Sequence, residues 1–266
     1  MTTMSTTAPT AGRLPLRWVL IDALTVTKRN LLTYLRLPQL LVFSTIQPVM
    51  FVLLFAYVFG GAIQTPGGSY INYLIPGILV QTVAFGSTTT GVGLAQDLDK
   101  GLVDRFRSLP MARSAVLAGR TMSDSLRNLF VILLMLGVGS LIGFRIGTNI
   151  FAALAAIALG VLFGFAFSWI SALIGMSVGD VETAQVAGFI WIFPLVFASS
   201  AFVPVETMPS WLQAFADVQP ITHTVNALRA LLLGGETTRH VLGALAWSLG
   251  ILAVFMPLAV RRYRRT

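Results

Sequence analysis

The chain contains no cysteine, which excludes disulfides, thiolate metal centres and cysteine nucleophiles. Charge is scarce too: Asp, Glu, Lys and Arg together make up 11% of the 266 residues, against 56% hydrophobic residues. A soluble domain cannot hide that much apolar surface behind so few charges, so lipid must solvate most of this molecule. The lysines are Lys28, in Thr-Lys-Arg, and Lys100, in Asp-Lys-Gly. A P-loop needs Gly before its Lys and Ser or Thr after it, so neither lysine can hold ATP by that route. No ionisable residue falls deep in any long apolar run, which argues against a carrier driven by a coupling ion inside the membrane.

What is present is a set of six apolar runs, at residues 40–60, 70–95, 126–144, 150–178, 184–203 and 241–260. Each approaches or exceeds the roughly 20 residues that cross a bilayer as a helix. The expected fold is an all-α membrane protein with six transmembrane helices occupying residues 37–260. Residues 1–14, rich in Thr, Ser and Ala, read as a disordered cytoplasmic tail, and 261–266 as a basic one. Over 15–36, Trp18, Ile21, Leu24, Leu31, Leu32 and Leu35 recur at spacings near three and four between Arg17, Asp22, Lys28, Arg29 and Arg36. That pattern predicts an amphipathic helix in the membrane interface, and a leader of this kind is expected to stay uncleaved.

The positive charges set the expected orientation. Arg13, Arg17, Lys28, Arg29 and Arg36 precede the first run, and Arg261, Arg262, Arg264 and Arg265 follow the last. Lys100, Arg105, Arg107, Arg113, Arg120 and Arg127 lie between the second run and the start of the third. With both termini in the cytoplasm, only Arg145, Arg229 and Arg239 fall outside. The net charge of +8 is then a topology signal in a bacterial plasma membrane, and a nucleic-acid partner is not expected. Gly139, Gly143 and Gly147, and likewise Gly160, Gly164 and Ser168, recur every four residues and read as helix-packing faces. Gln47, Gln81 and the run containing Thr88 and Thr89 either bond across helices or line a pathway.

Two motifs suggest enzymes. Gly175-Met176-Ser177-Val178-Gly179 matches a nucleophile elbow, but it ends an apolar helix, and His223 and His240 belong on the opposite membrane side. Asp97, Asp99 and Asp104 could hold magnesium in a membrane transferase. At about 100° per residue Asp99 points away from the other two, and Lys100, Arg105 and Arg107 are placed to pair with them, so a solvated helix is expected instead.

The stretch 97–120, DLDKGLVDRFRSLPMARSAVLAGR, is a charged loop in which Pro110 breaks the helix and leaves a short surface helix suited to a partner's grip. Phe106, Leu109, Met111, Val116 and Leu117 are an excess of apolar side chains for an unpartnered connector. Over 202–235, Pro209 opens a helix bearing Trp211, Leu212 and Phe215, and Pro220 interrupts it. A second helix bears Val225, Leu228 and Leu231 until Gly234 and Gly235 end it. Both are too short to cross, so they should lie half-buried at the outer leaflet or re-enter it.

Taken together, the leader helix, the six runs, the Pro-Met-Ala-Arg turn within 97–113 and the Phe-Val-Pro, Met-Pro, Gln-Pro and Ala-Leu-Arg elements of 202–229 resemble the permease subunits of ABC-2 type exporters. The similarity is strongest to the actinobacterial daunorubicin-resistance kind. It implies an ATP-driven exporter of a drug, antibiotic or lipid-like amphipathic compound. The permease would work beside a second permease copy, homodimeric or heterodimeric, and a separate ABC ATPase subunit that holds ATP and magnesium. This chain would bind no cofactor and carry no catalytic residue. The resemblance makes the loop after the second span a coupling helix, with Asp104, Arg105, Arg107, Leu109, Pro110 and Arg113 contacting the ATPase and Lys28 and Arg29 of the leader beside them. Gln47, Gln81, Thr88 and Thr89 become candidate pathway residues. Pro204, Met208, Pro209, Trp211, Pro220 and Arg229 become candidate outer-gate residues. Where wider-family members often carry Glu and Thr at the start of the loop, this chain has Asp99 and Leu102.

Overall fold

A computed structural model describes residues 24–28, 38–61, 63, 69–101 and 113–265, and its described residues are helical with no strand. Helix α1, Pro38–Leu54, runs on through a π-helical turn, Phe55–Phe59. It is followed by α2 (Tyr70–Asp99), α3 (Arg113–Leu141), α4 (Ile150–Gly175) and α5 (Val181–Phe197). A 3₁₀ turn, Val205–Thr207, leads to the short helices α6 (Ser210–Val218) and α7 (Pro220–Leu233), and α8 (Thr238–Arg265) closes the chain. Among the described residues, four segments are long and apolar enough to cross a membrane: Tyr70–Asp99, Leu117–Leu141, Ile150–Gly175 and Thr238–Tyr263. Thr45–Phe59 and Val181–Phe197 are apolar but shorter. Helices suit such a sequence because in lipid each backbone N–H and C=O must find its partner within the chain.

Local signals fix several boundaries. Asn149 caps α4 by accepting from the Ala152 amide at 2.8 Å, and Asp180 caps α5 by accepting from the Thr183 amide at 2.7 Å. As the sequence predicted, Pro209 precedes α6, Pro220 opens α7, and Gly234 (φ 98°) ends it in a conformation that glycine adopts without strain.

Helix α2 is the axis of the bundle, packed most extensively on α4 and also on α5, α3 and α7. Its backbone meets that of α4 where a Cβ on Gly91 would overlap the Ser171 carbonyl and one on Gly175 would overlap the Gly91 carbonyl. One turn away, the Ser87 and Ser171 hydroxyls lie 3.3 Å apart. The expected packing role holds for Gly139, Gly160 and Gly164, whose Cβ positions would lie 3.2 Å or less from Ile75, Ile132 and the Val83 and Asn128 side chains respectively. Gly143 departs from it: it lies beyond the end of α3 at φ 109° with open space around it, so it serves the turn instead.

Two span boundaries also differ from the sequence reading. The third helix starts at Arg113 rather than near 126, because Arg120, Asp124 and Arg127 find polar partners on α2 and their charges do not stop the helix. The fifth helix ends at Phe197 rather than 203, and side chains from α7 and the residue before it hold the carbonyls of the turn that follows. The Gln219 amide donates to Ala198 O, and Arg229 donates to Ser200 O (2.5 Å) and Ala201 O (3.3 Å).

Interhelical contacts define two ends. At one, Arg229 also donates to Tyr73 O at 3.0 Å and lies 3.4 Å from the centroid of the Tyr73 ring, while Gly147 N donates to Leu232 O and Thr148 to Leu231 O. Helix α7 is buried there against α2, α4 and α8 rather than lying on the surface. At the other end, Arg120 pairs with Asp97, Arg262 donates to Met176 O, and Thr27 of the leader donates to Gly119 O at 3.0 Å. Of the leader, residues 24–28 are helical, with Val26 and Thr27 buried and Leu24 and Lys28 exposed; Arg29 lies outside the described residues.

Candidate functional site

Between α1, α2, α3 and α5 lies a cavity of about 560 Å³ whose walls differ in character. Phe51, Phe85 and Phe189 supply an aromatic side, while Gln47, Gln81, Thr88, Thr89, Gln96 and Gln185 supply amides and hydroxyls. The remaining wall is α3, which presents Arg120, Ser123, Asp124, Arg127 and Asn128. An apolar cavity with a few convergent polar groups is the usual form of a small-molecule site.

The α3 wall is built as an antiparallel ladder against α2. Arg120, Asp124 and Arg127 follow at i, i+4 and i+7, so they stack on one face of α3. Opposite them, Gly86 and Gly93 are also seven residues apart, and each leaves room for a guanidinium. A Cβ on Gly86 would lie 3.0 Å from the Arg127 terminal nitrogen, and one on Gly93 would overlap Arg120. Arg127 donates to Thr89 Oγ1 and Gly86 O, both at 2.6 Å; Thr90 donates to Asp124; and Arg120 donates to Asp97 at 2.8 Å. Each contact is charge-assisted, the stronger class of hydrogen bond, and the surrounding apolar helices limit competition from water. Gln81 Oε1 and Arg120 Nε are buried without a hydrogen-bond partner, which leaves polar capacity in the cavity wall.

From the cavity an aromatic series leads toward the Arg229 end. Phe51 stacks on Phe55 (centroids 5.9 Å apart), Phe55 on Phe202 (4.6 Å), and Phe202 on Phe197 (5.3 Å). Phe55 opens the π-helical turn, a local distortion frequent at functional sites.

The similarity of known proteins to this chain now bears on the geometry. The model of the ABC-2 type transporter family matches residues 22–233. The chain belongs to that family. It is 36% identical over 259 residues to a daunorubicin resistance ABC transporter permease protein of Streptomyces coeruleorubidus, a match covering 97% of this chain and 92% of that one. To a probable doxorubicin resistance ABC transporter permease protein of Mycobacterium tuberculosis it is 29% identical over 225 residues, covering 84% and 80%. A putative transport permease of Cyanophora paradoxa is 26% identical over 212 residues, covering 77% and 72%.

In this ABC-2 chain the candidate residues fall into separate groups. Gln47, Gln81, Thr88 and Thr89 all line this cavity, and Thr89 also accepts from Arg127 across the α2–α3 contact. Pro204, Met208, Pro209, Trp211, Pro220 and Arg229 gather at the Arg229 end. Gln213 there donates to Met208 O at 2.7 Å, and Trp211 is 72% exposed. Asp104, Arg105, Arg107, Leu109 and Pro110 lie outside the described residues. Arg113 is the first described residue of α3, with only its backbone described.

Among the described residues the enzyme readings find no assembled site. Ser177 is exposed and donates to Leu173 O at 2.7 Å. His223 and His240 lie near each other, their ring centroids 6.5 Å apart, between α7 and the start of α8. Because Arg262 touches Met176, the length of α8 keeps both histidines roughly 30 Å from Ser177. Asp97 is ion-paired with Arg120 of α3, a partner the sequence reading did not name, Asp104 lies outside the described residues, and no group of three metal-ligating side chains occurs among the described residues.

The sequence reading missed Arg120, Asp124, Arg127 and Asn128 as parts of the site, having assigned the first two to a loop. It had also held the spans to be free of deep charge. In the structure Asp124 and Arg127, with the neutral Asn128, are buried within the helical segment Leu117–Leu141, which begins before the run read from the sequence. The available signal was the match between the i, i+4, i+7 charges of α3 and the seven-residue glycine repeat of α2.

Proposed function

We propose that this chain is the transmembrane permease subunit of an ATP-driven exporter, that the cavity beside the α3 ladder is part of the cargo path, and that motion reaches it through α3. The carrying observation is that one unbroken helix, Arg113–Leu141, begins directly after the 102–112 segment and places Arg120, Asp124 and Arg127 in the cavity wall. A displacement at the start of a rigid helix moves its whole length, so a grip on Asp104, Arg105, Arg107, Leu109, Pro110 and Arg113 by a separate ATPase would shift that wall. Lys28 and Arg29 of the leader would brace the same end, consistent with the Thr27 to Gly119 bond. ATP and magnesium would reside in the ATPase subunit.

Thr45–Phe59, extended backward to Pro38, and Val181–Phe197 complete a six-span arrangement in the bacterial plasma membrane. The arginine-rich end and both termini then face the cytoplasm, as the distribution of Lys and Arg favours. Trp211, Pro209, Pro220 and Arg229, with Pro204 and Met208, would close the outer end. A second permease copy would enclose the path between the two chains. The cavity's charged wall facing Phe51, Phe85 and Phe189 suits an amphipathic molecule, and drugs of the kind named for the relatives, or lipid-like compounds, have that character.

The test is to co-express the chain with a candidate ABC ATPase subunit, reconstitute the complex and measure export and ATP hydrolysis together. Pro110→Ala, Arg107→Gln and Arg113→Gln should lower export at least tenfold while hydrolysis persists. Export by the permease alone, without any ATPase, would sink the proposal.

A further inference from the structure

Three of the helices around the cavity beside α3 carry the same two side chains at the same spacing. Gln47 and Phe51 of α1, Gln81 and Phe85 of α2, and Gln185 and Phe189 of α5 all line it, each glutamine four residues before its phenylalanine and so on the same face. The Phe85 and Phe189 rings pair with centroids 5.4 Å apart, and Phe189 is 43% exposed, which leaves part of its ring open to a third partner. Tyr70 at the start of α2 donates to Phe202 O, just beyond the end of α5, so the two helices run in opposite senses. Gln81 and Gln185 therefore flank the ring pair from opposite sides, each about 6 Å along the axis from its phenylalanine.

Gln81 stands apart from the other polar groups of this wall. Arg120 is paired with Asp97, Arg127 donates to Thr89 and Gly86 O, and Asp124 accepts from Thr90, so these charges are already engaged. Thr82, Thr88 and Thr89 donate to carbonyls of their own helix, at Ile78, Phe85 and Gly86. Gln81 is only 5% exposed and its side-chain oxygen is buried with no hydrogen-bond partner, a cost that a bound molecule would remove. Given the reading of this cavity as part of the cargo path, we infer that Gln81 selects the cargo: its carboxamide bonds a hydroxyl or amide of a neutral molecule whose ring lies against Phe85 and Phe189. A carboxamide offers an acceptor and two donors, so it suits a group that itself both donates and accepts. An ion at that place would lose its water and meet only charges that already have partners, so the site favours an uncharged group.

The experiment uses the full chain in lipid nanodiscs and equilibrium dialysis of four small probes, with empty discs subtracted and thermal unfolding followed in parallel. β-Naphthol is neutral with a hydroxyl, β-methylnaphthalene has its shape without the hydroxyl, and β-naphthoate and β-naphthylmethylammonium carry a charge. The parent should bind β-naphthol at least fivefold more tightly than each of the others. Gln81→Leu should bring the two neutral probes within twofold of each other, and it should unfold at no lower temperature than the parent, because it replaces an unpartnered buried amide. Phe189→Leu should weaken both neutral probes alike and leave their ratio within twofold of the parent's. Equal binding of the neutral probes by the parent, tighter binding of a charged one, no saturable binding of any, or a preference that survives Gln81→Leu would each overturn the inference. So would a loss of stability in Gln81→Leu, which would show that the amide serves the fold. None of these outcomes involves an ATPase, so the exporter reading stands or falls separately, on the coupled export assay.

Discussion

Gly93 leaves the space in which the Arg120 guanidinium rests, so Gly93→Ala tests whether the α2–α3 ladder is held by charge or only by shape. The new methyl group would overlap Arg120, and the flexible arginine, not the helix backbone, is the part able to move. Moving it breaks the 2.8 Å ion pair with Asp97, whose two side chains are 20% and 16% exposed. An exposed pair contributes about 0–1 kcal/mol. Removing one partner of a fully buried pair costs about 3–5 kcal/mol. This partly buried pair belongs between those limits, so Gly93→Ala and Asp97→Asn should each cost about 1–2 kcal/mol, a factor of roughly 5–30 in the folded ratio. Because both changes remove the same interaction, the double variant should cost at least about 1 kcal/mol less than the sum of the singles. Unfolding of the purified chain in mixed micelles, followed by circular dichroism, measures all the states. Additive losses, within about 0.5 kcal/mol, would show that Gly93 acts without the ion pair and refute the reasoning.

Further outcomes follow from the same geometry. Gly91→Ala should cost more than Gly93→Ala, about 3 kcal/mol or above, because its methyl group meets the Ser171 backbone carbonyl and two helices must separate; the same unfolding assay ranks the two. Arg229→Lys should loosen the turn after α5, since one ammonium cannot serve Tyr73 O, Ser200 O, Ala201 O and the Tyr73 ring together. Limited proteolysis at 198–209 should then run at least several-fold faster than in the parent. The exposed Asp180 carboxyl is held below the usual carboxylate range, first by the Thr183 hydroxyl and then by the Thr183 amide. A carboxyl with a lowered folded pKa stabilises the fold above its unfolded value and loses that effect as pH falls through its folded value. Asp180→Ala should therefore be less stable than the parent at neutral pH and converge with it between roughly pH 5 and pH 2. A gap that stays constant over that range would exclude the capping carboxylate as its cause.

Much of the helical plan was legible because its signals are local. Pro209, Pro220 and Gly234 act on their own backbone torsions, and they mark the ends of α6 and α7 where the chain reading put them. The position of Gln47, Gln81, Thr88 and Thr89 in one cavity was legible only as one of two alternatives, since an amide in an apolar run can face a neighbour or a void. The α3 wall was misread for a related reason. Arg120 and Asp124 look like loop residues until α2 supplies Asp97 to pair with Arg120, the space over Gly93 to hold its guanidinium, and the Thr90 hydroxyl to donate to Asp124. Gly91 and Gly175 gave no periodic signal at all, because a single close approach of two backbones leaves no repeat.

The sequence by itself determined that this is a helical membrane chain, and through its motifs which family it resembles, because hydropathy and charge placement follow from composition along the chain and need no contacts. Tertiary structure alone decided that charged residues belong inside a span and that they wall a cavity. A buried charge is tolerable only when its partners arrive, and those partners are separated from it by tens of residues.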